Sequence, residues 1–266
     1  MYTTRAEREA YFHKLGQQEA SSLLWKAHYN LKISDESIIN RLKDLNITDW
    51  NFEDNDGHFP LMLALDRPDL LRYLLSFPTT NVNYQNELGE TPLMMMVDDA
   101  TGFDILMEHG ANPDLLDENG ETALFWAAKS TKTDSIATFH KLIRIPNVNL
   151  NHVNEDGDSV FHILARFSGN VASLYKARDL FQIAESTGMS YTLSILDAKG
   201  RTPLQRMSTS VSSKDMRALF LKYGASTGGK RRLLLSKRPE HRRTKFASRR
   251  QTRRRRNQRH TLRRHR

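Results

Sequence analysis

The chain has 266 residues, with 40 Lys and Arg against 31 Asp and Glu, a net charge of +9. That mean hides a division: residues 228–266 hold 18 Lys and Arg and one acid, Glu240, whereas residues 1–227 hold 22 bases and 30 acids, so an acidic body precedes a basic tail. The absence of Cys excludes disulfides, thiolate metal sites and Cys nucleophiles, and the longest fully apolar run, the six residues Ala123 to Ala128, falls far short of the ~20 that a membrane helix needs.

Charges near the start stand where a signal peptide would be apolar, so a soluble, intracellular chain is expected. Thr4 and Glu7 have the spacing of a capping box, and a helix is predicted from about Arg5 to Tyr29. Residues 1–33 are read as an N-terminal helical cap. A second helix is predicted over Asp35–Leu45, closing a degenerate first unit of a domain that spans residues 34–227.

Within that domain a pattern recurs around Gly57, Gly89, Gly120, Gly157 and Gly200. Three residues before each stands Asp54, Asn86, Asp117, Asn154 or Asp197. Six before stands a small polar residue, Asn51, Asn83, Asp114, Asn151 or Ser194. Two after comes Phe59, Thr91, Thr122, Ser159 or Thr202, and an apolar run then starts at Leu61, Leu93, Leu124, Phe161 or Leu204. Asx-x-x-Gly is turn chemistry, in which the side chain bonds backbone ahead and Gly accepts positive φ. Thr-Pro, present at 91–92 and 202–203, is a helix start.

Second amphipathic helices are predicted over Leu70–Phe77, Phe103–His109, Ile136–Ile143, Leu180–Glu185 and Met216–Tyr223, with Gly110, Gly188 and Gly224 as left-handed C′ residues. The unit is a turn, a short helix, a second helix and an extended finger. Neither helix can bury its apolar face alone, so units must stack.

These units resemble ankyrin repeats, most closely from Gly89 to Ala128, where Thr91-Pro92-Leu93 and Glu108-His109-Gly110-Ala111-Asn112 follow the family pattern. The resemblance covers roughly residues 34–226. Gly-to-Gly spacings of 32, 31, 37 and 43 against about 33 in the family place insertions near Ser130–Thr133, Pro146–Leu150, Ser168–Ser173 and Ser186–Ser194. The fold implied is an all-α ankyrin-repeat solenoid of about six units with β-hairpin-like fingers. The function implied is protein–protein recognition through the concave face of fingers and first helices, by a non-enzymatic monomer without cofactor or metal.

Around the finger tips lie Glu53 and Asp56, Glu87 and Glu90, Glu118 and Glu121, Glu155 and Asp158. One reading is a negative strip for a basic partner. The other is turn chemistry that keeps the body soluble. His109 and His162 fit structural positions at a helix end and a helix start. Asp98-Asp99 is expected in a solvated helix–helix turn, and Met94-Met95-Met96 in the core.

From Gly228 onward no apolar periodicity supports a core, and disorder is expected over residues 228–266. Arginine suits phosphate contacts. Lys230, Arg231, Arg232, Lys237 and Arg238, followed by Arg249, Arg250, Arg253, Arg254, Arg255 and Arg256, also have the layout of a bipartite nuclear import signal. The expected partners are an unidentified protein for the body and nucleic acid or an import receptor for the tail. The expected location is the nucleus of a eukaryotic cell, including a host cell, and otherwise the cytoplasm. The competing reading is a nucleic-acid-binding or packaging protein, with the tail as its active part and the repeats as spacer.

Overall fold

A computed structural model describes residues 5–29, 32–54, 59–209 and 211–225. Thr4, Asp56, Gly57 and every basic residue singled out in the tail, from Lys230 to Arg256, lie outside the described residues. The described chain forms twelve α-helices: α1 (Arg5–Tyr29), α2 (Asp35–Asp44), α3 (Pro60–Leu63), α4 (Pro68–Leu75), α5 (Pro92–Met95), α6 (Ala100–Glu108), α7 (Ala123–Lys129), α8 (Ser135–Leu142), α9 (Val160–Arg166), α10 (Val171–Thr187), α11 (Pro203–Arg206) and α12 (Lys214–Lys222). No strand occurs among the described residues; the fingers are tight turns, with one isolated antiparallel bridge between Val153 and Ser159.

The helix starts follow their side chains. The Met94 N–H donates to the Thr91 hydroxyl at 3.2 Å, and the Gln205 N–H to the Thr202 hydroxyl at 3.4 Å, with Pro next in line in both cases. Phe59 departs from this column because its ring is engaged elsewhere. It stacks on Tyr84 of the next finger at 3.9 Å, leaving Pro60 to start α3 unaided. The aliphatic or aromatic residue that opens each first helix, Leu61, Leu93, Leu124, Phe161 or Leu204, is buried in every unit. Gly110, Gly188 and Gly224 adopt positive φ as expected for helix ends.

Two findings depart from the sequence expectation. The fourth second helix runs 17 residues, Val171–Thr187, rather than six, so most of the extra length in that unit is helix and not a loop at Ser168–Ser173. Its buried stripe contains Ser173 and Lys176 beside Ala172, Ala177, Leu180 and Phe181, and those polar members masked the periodicity. At the start, Ala20, Leu23, Leu24 and Ala27 of α1 are buried against α2 and α3. The end of α1 thus serves as the first helix of the first pair.

The loops between paired helices are tied from unit to unit by polar anchors. Arg67, 6% exposed, donates to the carbonyls of Ala27 and Ile33 and to the Asp35 carboxylate, satisfying backbone left open beyond α1. The Thr138 hydroxyl reaches the Val97 carbonyl, and the Ser168 hydroxyl meets that of Ser213 at 3.0 Å. Asp98 is not merely solvated. It accepts from the Ser130 hydroxyl and pairs with Lys132 at 3.0 Å, while Asp99 caps the Thr101 N–H at 2.9 Å. Met94 and Met96 are core residues and Met95 is exposed.

Candidate functional site

The finger tips are built by one repeated device. Oδ1 of Asn86 accepts the N–H groups of Leu88 and Glu90 at 3.0 and 2.9 Å. Asp117, Asn154 and Asp197 do the same for the residues two and four ahead of them. The glycine inside each turn has positive φ, +76° at Gly89. There a side chain is excluded twice over, because a Cβ would lie 2.9 Å from Asp117 Cα in the neighbouring finger.

That close approach lets backbone bond backbone from one finger to the next. The N–H groups of Glu118, Glu155 and Ala198 donate to the carbonyls of Leu88, Asn119 and Asp156 at 2.8, 2.9 and 2.8 Å. Three successive junctions are therefore fixed at the tips.

Lower on the stem, an asparagine six residues before the glycine clamps the following finger with both ends of its amide. Asn51 accepts from the Asn81 N–H at 2.7 Å and donates to the Thr79 carbonyl. Asn83 accepts from Asn112 at 2.6 Å and donates to Gly110 at 3.3 Å. Asn151 accepts from Thr192 at 2.8 Å and donates to Ser190 at 3.2 Å.

On this frame the predicted acidic row splits in two. Glu87 and Glu155, two residues before the glycine, are exposed, and Glu118 is half-buried. Glu53 is exposed and accepts from the Tyr84 hydroxyl. Burial first, and then Glu53, push the Tyr84 pKa up.

The acids just after the glycine turn inward, which corrects their assignment to an open edge. Glu90 is half-buried and accepts from the Asn86 amide at 2.7 Å. Glu121, 2% exposed, is held by Lys129 and by the Asn154 amide. Asp158, 0% exposed, accepts from Arg166 at 2.8 Å and Arg206 at 2.7 Å. The cause is local: beyond the glycine the chain folds back beneath the turn, and the carboxylate meets the base eight residues on, Lys129 for Glu121 and Arg166 for Asp158.

Arg206 also bonds Asp197 at 2.6 Å, joining two units. Burial pushes the Asp158 carboxyl up, against the pull of Arg166. Burial acts upward on Asp197 too, but the N–H donors of Arg201 and Lys199 and the Arg201 side chain bring it below the ordinary range.

His109 and His162 take structural positions. His162 is buried; its Nδ1 accepts the Ser159 N–H at 3.1 Å and its Nε2 lies 3.0 Å from the Arg201 carbonyl of the next finger. This pattern places the ring proton on Nε2, and burial lowers the pKa. His109 Nδ1 lies 2.8 Å from the Ile105 carbonyl. Among the described residues no group of His, Asp and Glu is placed to hold a metal ion, and no helix is long and apolar enough to cross a membrane. The sequence reading missed the clamp asparagines, although their recurrence was visible, and it missed Arg67 and Lys176, which no repeated column announces.

Comparison with known proteins agrees with this architecture. Residues 68–139 match the family model for ankyrin repeats, three copies. A putative ankyrin repeat protein of Acanthamoeba polyphaga mimivirus is 31% identical over 93 residues, 33% of this chain. The chain spans 21% of that relative's length. Among solved structures, an ankyrin repeat domain from Acinetobacter baumannii aligns with a TM-score of 0.60 at 20% identity, over 77% of this chain and 98% of the other. A structure of a predatory endopeptidase from Bdellovibrio bacteriovorus in complex with an immunity protein gives 0.52 at 22%, over 83% and 100%. The ankyrin repeat domain of Bcl-3, a member of the IkappaB protein family, gives 0.53 at 19%, over 69% and 77%. These structural likenesses are of fold. Residues 68–139 thus match ankyrin repeats, and the described residues have the fold of an ankyrin-repeat domain, an all-α solenoid of stacked helix pairs.

Proposed function

We propose that the repeat array recognises a basic partner protein along its finger edge. Ankyrin repeat domains generally mediate protein–protein interactions. The observation that carries the finer reading is the split in the acidic row. Glu87 and Glu155 stand toward solvent and Glu118 is partly exposed, on tips whose spacing is fixed by backbone bonds, with the exposed Glu53 on the finger before them, whereas the inward Glu121 and Asp158 are already consumed by ion pairs and Glu90 by the Asn86 amide. A rigid row of carboxylates steers and registers a cationic surface. One similar structure, from Bdellovibrio bacteriovorus, is of an endopeptidase in complex with an immunity protein.

The test is affinity capture with the full chain and with a Glu87→Gln, Glu118→Gln, Glu155→Gln variant, at about 50 mM and 300 mM salt. The partner is lost from the variant and at high salt. A partner held equally by both chains at both salts refutes the edge.

For the tail, the charge density of residues 228–266 supports import or polyanion binding. Replacing Lys237, Arg238, Arg249, Arg250 and Arg253 by Ala leaves the protein cytoplasmic in a eukaryotic cell if the tail directs import. Continued nuclear accumulation rejects the bipartite assignment.

A further inference from the structure

We propose that the junction at Asp114 is an anchor pocket that takes one bulky aliphatic side chain of a basic segment in a partner protein. This deepens the finger-edge reading and rests on it. A cavity of about 240 Å³ opens between the third and fourth fingers, walled by Leu124, Leu142 and Val148 and rimmed by Asp114, Asn149 and His152.

Its position has a cause. In the clamp column each asparagine accepts from the N–H two residues before the next column position and donates to the carbonyl four before it, as Asn83 does with Asn112 and Gly110. At Asp114 the matching groups are the Asn149 N–H and the Asn147 carbonyl. A carboxylate has no N–H for that carbonyl, and the Asp114 side chain takes neither bond; only its backbone N–H is engaged, by Asn112 Oδ1 at 3.0 Å. Asp114, Asn147 and Asn149 instead border the cavity. The longer spacing of this unit is not the reason, because the following junction has a longer one still and keeps its clamp through Asn151.

Size and charge select the occupant. The volume lies below the ~300–1,000 Å³ of small-molecule sites and has room for a leucine- or methionine-sized group, the usual scale of an interface anchor. Beside the apolar walls, the exposed Asp114 carboxylate makes no ion pair among the described residues, and the two flanking fingers carry Glu118, Glu155 and Asp156 at their tips. An apolar hole with one unpaired carboxylate at its rim, on fingers whose tips carry further acids, fits an aliphatic side chain with Lys or Arg on either side.

The experiment uses the full chain and two fluorescein-labelled heptapeptides, Gly-Lys-Arg-Leu-Lys-Arg-Gly and the same peptide with Ser in place of Leu. Fluorescence anisotropy is read at about 50 mM salt. Wild type binds the Leu peptide about tenfold more tightly than the Ser peptide, the scale expected for burying an aliphatic group. Asp114→Asn supplies the missing donor; it raises Tm, slows amide exchange at Asn149 and brings the ratio to about one.

Glu118→Gln with Glu155→Gln weakens both peptides by a similar factor and leaves the ratio standing. Equal binding of the two peptides by wild type overturns the pocket, and if that equal binding still falls in the Glu variant the finger-edge reading survives alone. A ratio unchanged in Asp114→Asn, with Tm also unchanged, overturns the clamp argument and the proposal with it.

Discussion

Lys176→Met is the perturbation that most directly tests how the stack is held. Lys176 is 0% exposed, and its Nζ donates to the carbonyls of Ala127 and Ser130 at 2.7 Å each and to the Ser135 hydroxyl at 2.6 Å. No carboxylate touches it; Asp98 acts on it only at longer range. The side chain of one unit thereby closes the open end of α7 in the unit before. Met fills similar space but leaves two buried carbonyls unpaired, each worth about 1–3 kcal/mol, so the variant loses about 2–6 kcal/mol at pH 7.

The pH dependence supplies the sharper test. Burial lowers the folded-state pKa to about 8 from the ordinary lysine value of 10.5. Below pH 8 both folded and unfolded chains hold the proton. Between about 8 and 10.5 the unfolded chain binds the proton that the folded chain has shed, so wild-type stability rises with pH, by up to about 3 kcal/mol. Urea denaturation of both proteins at pH 7, 8, 9 and 10 isolates this contribution, because other groups titrate alike in the two. The gap between wild type and Lys176→Met widens above pH 8. A lysine in a surface ion pair would make it shrink, and a constant or shrinking gap refutes the account.

Three further outcomes follow from the same contacts. Arg206→Met leaves Asp158 and Asp197, which share that guanidinium, as buried like charges; it costs about 3 kcal/mol at pH 7, and denaturation at pH 4 shows a smaller loss, because Asp158 has a raised pKa and takes up its proton early. Gly89→Ala costs about 2 kcal/mol or more and speeds exchange of the Glu118 amide, whereas Gly110→Ala, with positive φ but open space around it, costs only about 1 kcal/mol; equal losses would show that the close approach of fingers is not what demands glycine. Ala127→Asp places an unpaired charge where exposure is 0% and costs about 4 kcal/mol or more, with lost exchange protection centred on residues 89–157; an unchanged melt would refute the register of α7.

Much of the fold was legible because its signals are local. Turn aspartates and asparagines, the glycine three residues on, Thr-Pro and the apolar residue that follows are all short-range chemistry, and α1 ends where the pattern broke. The site was less legible, because its logic runs between units. In the sequence, Glu118 and Glu121 are two acids beside one glycine; only the fold shows that one stays partly exposed and the other lies buried beneath the turn against Lys129. The signal that separates them was present as an acid followed by a base eight residues later, in Glu121 with Lys129 and Asp158 with Arg166. Arg67 and Lys176 were out of reach for a different reason. Each serves carbonyls 40 and 49 residues away, and a base in an apolar stripe reads as a break in the helix pattern until those carbonyls are in place.

The two acid columns also divide labour in a way that constrains evolution of the edge. An inward acid is committed: removing Asp158 would strand Arg166 and leave Arg206 with Asp197 alone, and the cost would fall on stability. An outward acid such as Glu87 or Glu155 has no such obligation, so its charge can change with little effect on the stack. Asp114 stands between these cases. It occupies a column in which Asn51, Asn83 and Asn151 clamp the next finger, yet it forgoes the clamp and leaves a cavity in its place. The stack tolerates that loss because the tip bond from Glu155 to Asn119 holds the same junction at 2.9 Å. Backbone bonds at the tips therefore let a stem position give up its clamp, one junction at a time, without unstacking the array.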